Sequence, residues 1–203
     1  MKLFVSTASP FARLTLVSAL AAGIDEMEIS VVNPWANPVE LESVNPFSQV
    51  PTLITDSGAT LLDTVVIARR LLGNDFLKND AEARTASYSI ILMEQLVKYV
   101  SLSRDQPEGA TMHPHIARAK NAITRALKRT PHLEPESDRF CHLALGVALD
   151  YLQLRAPDLY ATLSEETQRA MRSFTARPWL RATAPEWLEE HMPTQLAELR
   201  AVQ

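Results

Sequence analysis

Strand signals stop abruptly in this chain. Up to residue 73, short runs rich in β-branched residues alternate with stretches of helical spacing. From Asp80 onward the apolar residues recur at helical intervals. Such a chain has to build a small mixed α/β unit and then a larger all-helical one. The break falls between residues 74 and 82, and 203 residues leave both parts enough volume for a core.

In the first part, Leu3-Phe4-Val5 reads as a strand, and Phe11, Leu14, Val17, Leu20 and Ala21 mark one helical face. Pro10 suits the first position of that helix, where its missing N–H is no loss, and Gly23 closes it. Met27 to Val32 predicts a second strand; Asn33 to Pro38, with two prolines and two asparagines, predicts a loop. Around the Asp56-Ser57-Gly58 turn, Thr52 to Thr55 and Thr60 to Leu62 make a hairpin. Asp63 or Thr64 then caps a helix over 65–72 that ends at Gly73. The order is β-α-β followed by β-β-α.

The second part predicts helices over 81–103 and 115–129, a strongly apolar one over 139–154, and amphipathic segments over 165–174 and 185–200. The apolar arc of the 139–154 segment is wide enough to place it at the centre of a bundle. Pro107, Pro114, Pro131, Pro135, Pro157 and Pro178 sit at or near the breaks.

Composition removes several function classes. A net charge of -4 gives no cationic field for nucleic acid. No apolar run approaches the roughly 20 residues of a membrane span, and the N-terminus lacks a signal-like stretch. Cys141 is the single cysteine, so neither an internal disulfide nor a thioredoxin-type C-x-x-C is possible. A cytoplasmic protein without nucleic-acid or membrane partners is expected. His113-Pro114-His115 has no cysteine or acidic companion and reads as a loop, so no metal is expected. Cys141 reads as a core residue, and Arg69-Arg70 and Lys128-Arg129 read as solvated helix faces.

Ser9 admits two roles. A serine before a helical proline ordinarily caps the helix through Oγ. A hydroxyl beside a helix N-terminus can equally stabilise an anion. Ser6 and Thr7 stand close enough to supply the same hydroxyl, and local spacing leaves these alternatives open. Arg13 reads as structural, either reaching solvent or holding an ion pair.

Several motifs in order carry a family resemblance: Ser9-Pro10-Phe11-Ala12-Arg13, then Asn45-Pro46-Phe47-Ser48-Gln49-Val50-Pro51-Thr52-Leu53, then Leu62-Asp63-Thr64. Leu143 to Leu152 and Arg177-Pro178-Trp179 continue it in the second part. Across nearly its whole length the chain resembles the glutathione S-transferase family, in the bacterial branch that uses an N-terminal serine. The resemblance implies a thioredoxin-like glutathione-binding domain over 1–76 and an all-helical bundle over 82–203. It implies Ser9 as the thiol activator and Phe11 as part of the wall. It further implies a cis Val50–Pro51 bond whose backbone meets the cysteinyl unit. Gln49 falls toward the glycyl end, with Asp63 and Thr64 at the γ-glutamyl end. A small hydrophobic electrophile would bind between the domains, with Trp35, Tyr99 and Met112 near the rim. Glutathione is then a co-substrate, no cofactor is required, and a two-fold homodimer is implied.

The chemistry sets a scale. A free thiol with a pKa near that of cysteine is only a few per cent thiolate at pH 7. Lowering its pKa by about two units raises that to roughly three-quarters and takes ~2.7 kcal/mol of preferential stabilisation.

The chain departs from the family pattern twice. Ser48-Gln49 stands where glycine and lysine are usual. Arg139 and His142 stand where the family's capping box has serine or threonine and then aspartate, leaving Ser137 or Asp138 to cap one turn earlier. Loss of the box costs about 1 kcal/mol. These departures motivate an alternative, a non-catalytic relative acting as an interaction or regulatory module.

Overall fold

The computed structural model describes residues 1–202 except 105, 108 and 110. The first part contains β1 (Lys2–Val5), α1 (Pro10–Ala21), β2 (Glu28–Val31), α2 (Val39–Glu42), β3 (Thr52–Ile54), β4 (Thr60–Leu61) and α3 (Thr64–Leu72). The sheet is four-stranded in the order β2-β1-β3-β4, with β1 parallel to β2 and antiparallel to β3, and β3 antiparallel to β4. This is the thioredoxin-like arrangement. Its register positions the site: Val5 lies opposite Val31, Phe4 opposite Thr52, and Leu53 opposite Leu61. The ends of β1, β2 and β4 and the start of β3 therefore share one edge. The loops that emerge there carry Ser9, Val50-Pro51 and Asp63-Thr64.

The 33–38 segment is more ordered than its prolines suggest. Pro34–Ala36 is a 3-10 turn capped by the Asn33 side chain, which accepts from the Trp35 N–H at 3.1 Å. Pro38 is the cap of α2. Proline ends a helix from within, yet it suits the start of one, and both prolines sit at starts.

α1 is buried nearly all round rather than on one face. Ala12, Leu16, Ala19 and Leu20 pack against the sheet, while Leu14 and Val17 pack into the helical part. Its buried Thr15 and Ser18 hydroxyls donate to the carbonyls of Phe11 (3.1 Å) and Leu14 (2.7 Å), so neither opposes burial. After its C-cap Ala22, Gly23 takes a φ of 72°, a left-handed conformation that glycine adopts without a Cβ clash.

The second part contains α4 (Asp80–Arg104), α5 (Pro114–Leu127), α6 (Phe140–Arg155), α7 (Pro157–Tyr160), α8 (Glu165–Ala176), α9 (Pro178–Arg181), α10 (Pro185–His191) and α11 (Leu196–Arg200). Pro114, Pro157, Pro178 and Pro185 each open a helix. α6 is the central helix and is buried along most of its length. Its Gly146 faces the Phe174 ring so closely that a Cβ there would lie 2.2 Å from the nearest ring carbon.

The 185–200 segment is two helices rather than one. Met192 adopts φ 43°, Pro193 follows, and Thr194–Gln195 runs extended along β2. The Ile29 N–H donates to the Thr194 carbonyl at 2.8 Å, and the Leu196 N–H to the Met27 carbonyl at 2.9 Å. An open sheet edge needs hydrogen-bond partners, and the tail supplies them. Ala182, Leu188, Leu196 and Leu199 thereby join the sheet-side core.

Candidate functional site

Ser9 sits in extended conformation before α1, and its Oγ accepts the Ala12 N–H at 3.2 Å. Accepting through a lone pair leaves the hydroxyl proton free to donate elsewhere. Thr7 is directed differently: its Oγ1 donates to Glu189 Oε1 at 3.2 Å. Both line a recess of about 10 Å³ against α6, with Tyr151, Leu154 and Pro185 opposite; Ser6 does not line it. Burial pushes the Tyr151 phenol above its ordinary range, so it is protonated at neutral pH.

Arg13 braces the floor of this recess. It is 5% exposed, pairs with Asp150 on α6, and donates to the Leu180 carbonyl (3.0 Å) and Thr183 Oγ1 (3.4 Å). The ion-pair reading of Arg13 is the observed one. Phe11 is half-buried and packs on the helical core.

The Val50–Pro51 bond is cis. Buried Asn45 shapes the loop before it: Nδ2 donates to the Gln49 carbonyl (2.9 Å) and Thr52 Oγ1 (2.8 Å), while Oδ1 accepts the Phe47 N–H (2.9 Å). Among the described residues, the Val50 N–H and C=O make no backbone hydrogen bond. Ser48 has φ 48°, and among the described residues its buried Oγ finds no partner; the Gln49 side chain is exposed.

Asp63 is exposed and Thr64 buried. Asp63 Oδ1 accepts the Val65 and Val66 N–H groups at 2.8 and 3.0 Å and so caps α3. Of the two caps the sequence left open, Asp63 holds the position.

Trp35, Tyr99 and Met112 do not line the Ser9 recess. Trp35 is 68% exposed with the Arg104 guanidinium 4.6 Å from its ring centre. Tyr99 packs on the helical core from α4, and Met112 is exposed between α4 and α5. A larger cavity of about 660 Å³ instead adjoins the recess, walled by α6, α9 and α10. Sequence reading missed this role of α10. Its only local sign was Pro193 interrupting the helical pattern, because the wall depends on where the tail folds back.

At the start of α6, Arg139 is the cap residue but offers no side-chain cap. Neither Ser137 nor Asp138 replaces it. Ser137 Oγ accepts the Arg139 N–H (3.3 Å), and Asp138 pairs with Arg177. The Arg139 guanidinium instead pairs with Glu82 on α4, which lowers the Glu82 pKa mainly through that hydrogen bond. His142 Nδ1 accepts the Glu134 N–H at 3.2 Å, and burial pushes its pKa down. Cys141 is buried, and burial pushes its thiol up. His113 Nδ1 accepts the His115 N–H at 3.2 Å and so caps α5. Among the described residues, no three His, Cys, Asp or Glu side chains gather as a metal site, and no helix is long and apolar enough to cross a membrane.

Residues 8–72 match the family model described as "Glutathione S-transferase, N-terminal domain". The chain is similar to a glutathione transferase family member from Pseudomonas fluorescens Pf-5 solved with bound glutathione. The two are 24% identical with a TM-score of 0.78, over 91% of this chain and 98% of that one. A glutathione S-transferase from Methylobacillus flagellatus KT with GSH bound is 26% identical, with a TM-score of 0.72 over 91% and 98%. One from Methylobacterium radiotolerans JCM 2831, in complex with glutathione sulfonate, is 20% identical, with a TM-score of 0.77 over 91% and 94%. No curated protein matches the chain in sequence. The thioredoxin-like sheet and these likenesses together show that the chain has the glutathione transferase fold, with residues 8–72 matching the model of that family's N-terminal domain.

Proposed function

We propose that the chain is a glutathione transferase of the serine type, activating the thiol of glutathione for attack on a small electrophile. One observation carries this reading: Ser9, cis Val50–Pro51 and Asp63-Thr64 emerge at one sheet edge, in the register that β1, β3 and β4 impose. Residues 1–76 bind glutathione along that edge, and residues 82–203 cover it. The Val50 backbone pairs with the cysteinyl unit and Gln49 reaches the glycyl end. Asp63 meets the γ-glutamyl ammonium, and Thr64 at the N-terminus of α3 meets the α-carboxylate.

Ser9 keeps its cap bond through a lone pair and turns its proton to the sulfur. The dipole of α1, starting one residue later, favours the same anion. The thiol proton goes to solvent, the thiolate forms a bond to the electrophilic carbon, and the leaving group departs with its electron pair. Glutathione acts as co-substrate. The same reading makes the protein a cytoplasmic, detoxifying homodimer in which the first domain of one chain faces the second of the other. Sedimentation at micromolar concentration, with a dimer expected, checks the last point.

The test is Ser9→Ala. Turnover is expected to fall at least about tenfold, because one charge-assisted hydrogen bond is worth roughly 1.5–3 kcal/mol. Glutathione affinity by calorimetry should change much less. Equal turnover would remove Ser9 from the mechanism. The alternative, a non-catalytic interaction or regulatory module, is favoured by the exposed Gln49 where a cation is usual. The absence of glutathione binding at millimolar concentration would select it.

A further inference from the structure

The turn that carries Ser9 is held from the far end of the chain. Residues 6–9 join β1 to α1, and within this turn the Ser9 N–H reaches back to the Ser6 carbonyl at a long 3.4 Å. Among the described residues, the bond from Thr7 Oγ1 to Glu189 Oε1 at 3.2 Å is the one hydrogen bond made by a side chain of residues 6–8. Its two ends lie 182 positions apart. The neighbouring hydroxyls therefore divide their tasks. The Thr7 proton is spent on Glu189, whereas Ser9 only accepts, from the Ala12 N–H, and keeps its proton.

Glu189 is presented on a fixed support. It follows the fully buried Leu188 on α10, and Pro185 of the same helix lines the recess with Thr7 and Ser9. Beyond α10 the tail is tied to the first part at two further places. The Ile29 N–H donates to the Thr194 carbonyl and the Leu196 N–H to the Met27 carbonyl. The Arg200 guanidinium donates to the Leu20 carbonyl at 2.5 Å and pairs with Asp25 at 3.1 Å. A charge-assisted bond from so fixed an acceptor restricts the turn on which the placing of Ser9 Oγ depends.

We propose that Glu189 is a positioning residue for Ser9. Through Thr7 it fixes the turn before α1, so the start of α1 and the C-terminal tail together set the direction of the Ser9 hydroxyl. Glu189 touches no reacting atom in this assignment. Its effect on the chemistry rests on the reading of Ser9 as directed at a thiol; its hold on the turn does not.

The experiment takes the full chain with Thr7→Val, Glu189→Ala and Glu189→Gln. The first two delete the bond and the third keeps an acceptor; Glu189 is exposed, so the fold is not at stake. Without glutathione, exchange of the Ala12 amide, which Ser9 Oγ accepts, reads the turn directly. It is expected to quicken about three- to tenfold in Thr7→Val and Glu189→Ala, the scale of one modest hydrogen bond. In Glu189→Gln it should return to within about twofold of wild type. With glutathione, the pKa of the bound thiol, read from thiolate absorbance in the ultraviolet, should rise by about 0.5–1 unit in the first two variants. Turnover should then fall about three- to tenfold below that pKa and converge with wild type above it. Glutathione affinity measured below it should hold within about twofold, because the neutral thiol gains nothing from the Ser9 proton. A merely structural loss would lower turnover equally at every pH. Arg13 and Asp150, the charged groups lining the recess, are paired with each other and unaltered in every variant. Glu189→Gln removes the same charge as Glu189→Ala, so a purely electrostatic effect would appear in both. Thr7→Val combined with Glu189→Ala should be no worse than either alone. Unchanged Ala12 exchange, a loss uniform in pH, or Glu189→Gln behaving as Glu189→Ala would overturn the assignment. Failure of the transferase reading shows separately, as an absence of heat with glutathione while the Ala12 exchange follows the expected order.

Discussion

At the residue scale, Ser9 combines a capping bond with a free hydroxyl proton, and the two can be separated. Ser9→Gly keeps most of the capping, losing only a few tenths of a kcal/mol, while it deletes the hydroxyl; Ser9→Thr keeps both. Glycine should therefore unfold close to wild type yet lose turnover about as far as alanine, and threonine should restore part of it. Urea unfolding beside steady-state kinetics checks this; a glycine variant with full turnover would leave Ser9 a cap alone. Arg13 makes a different point. Its guanidinium is nearly sequestered, whereas 22% of the Asp150 side chain is exposed at the cavity floor. Asp150→Ala strands a buried cation and should cost about 3–5 kcal/mol. Arg13→Met leaves a carboxylate that can turn toward water, and should cost less. Urea midpoints of the two variants give the order.

At the element scale, α6 is the helix on which the helical part depends, and its first turn is held by long-range partners in place of a capping box. Arg139 reaches Glu82 on α4, and His142 receives the Glu134 N–H. Such a bond requires neutral Nδ1. The depressed His142 pKa means the folded state binds fewer protons than the unfolded chain just below the ordinary imidazole value of about 6.5. Its stabilising contribution is thus complete above that value and is lost as pH falls through the lowered folded value. His142→Gln keeps an acceptor without titrating and should flatten the stability profile on the acid side of the ordinary imidazole value, read from denaturant midpoints. The depressed Glu82 pKa works in a separate window, below the ordinary carboxylate range, and should survive that substitution. Farther along α6, Gly146→Ala drives a methyl into Phe174, which is fully buried and cannot turn aside. A cost of about 1–3 kcal/mol is expected, partly relieved by Phe174→Leu. Helix positions were legible in the sequence because each long helix carries an apolar repeat. The caps of α6 were not, since local residues suggested Ser137 or Asp138 while the decisive partners lie 57 positions away on α4 and across the turn at Glu134.

At the scale of the whole molecule, the two cores meet at α1. The recurrence of Phe11, Leu14, Val17 and Leu20 predicted one buried face, and its second came into view only where the sheet and α6 enclose the helix together. The meeting of the three candidate motifs was readable because each is a short contiguous run whose place follows from the strand order. The wall of the neighbouring cavity was not, because it exists only after residues 194–196 return to β2 and seat α10 over Thr7. This sharing of α1 bears on cooperativity. Leu16 belongs to the sheet-side core and Leu14 to the helical core, both fully buried on one rigid helix. Loss of either core would expose half of α1 and break the Arg13 brace, so neither part should persist alone. Leu14→Ala and Leu16→Ala should each cost about 2–5 kcal/mol. Each should also shift one common transition, whether it is followed by far-ultraviolet dichroism, weighted to the helical part, or by amide exchange in β1 and β3. If Leu16→Ala moved the exchange of the strands while the helical signal kept its midpoint, the two parts would unfold independently.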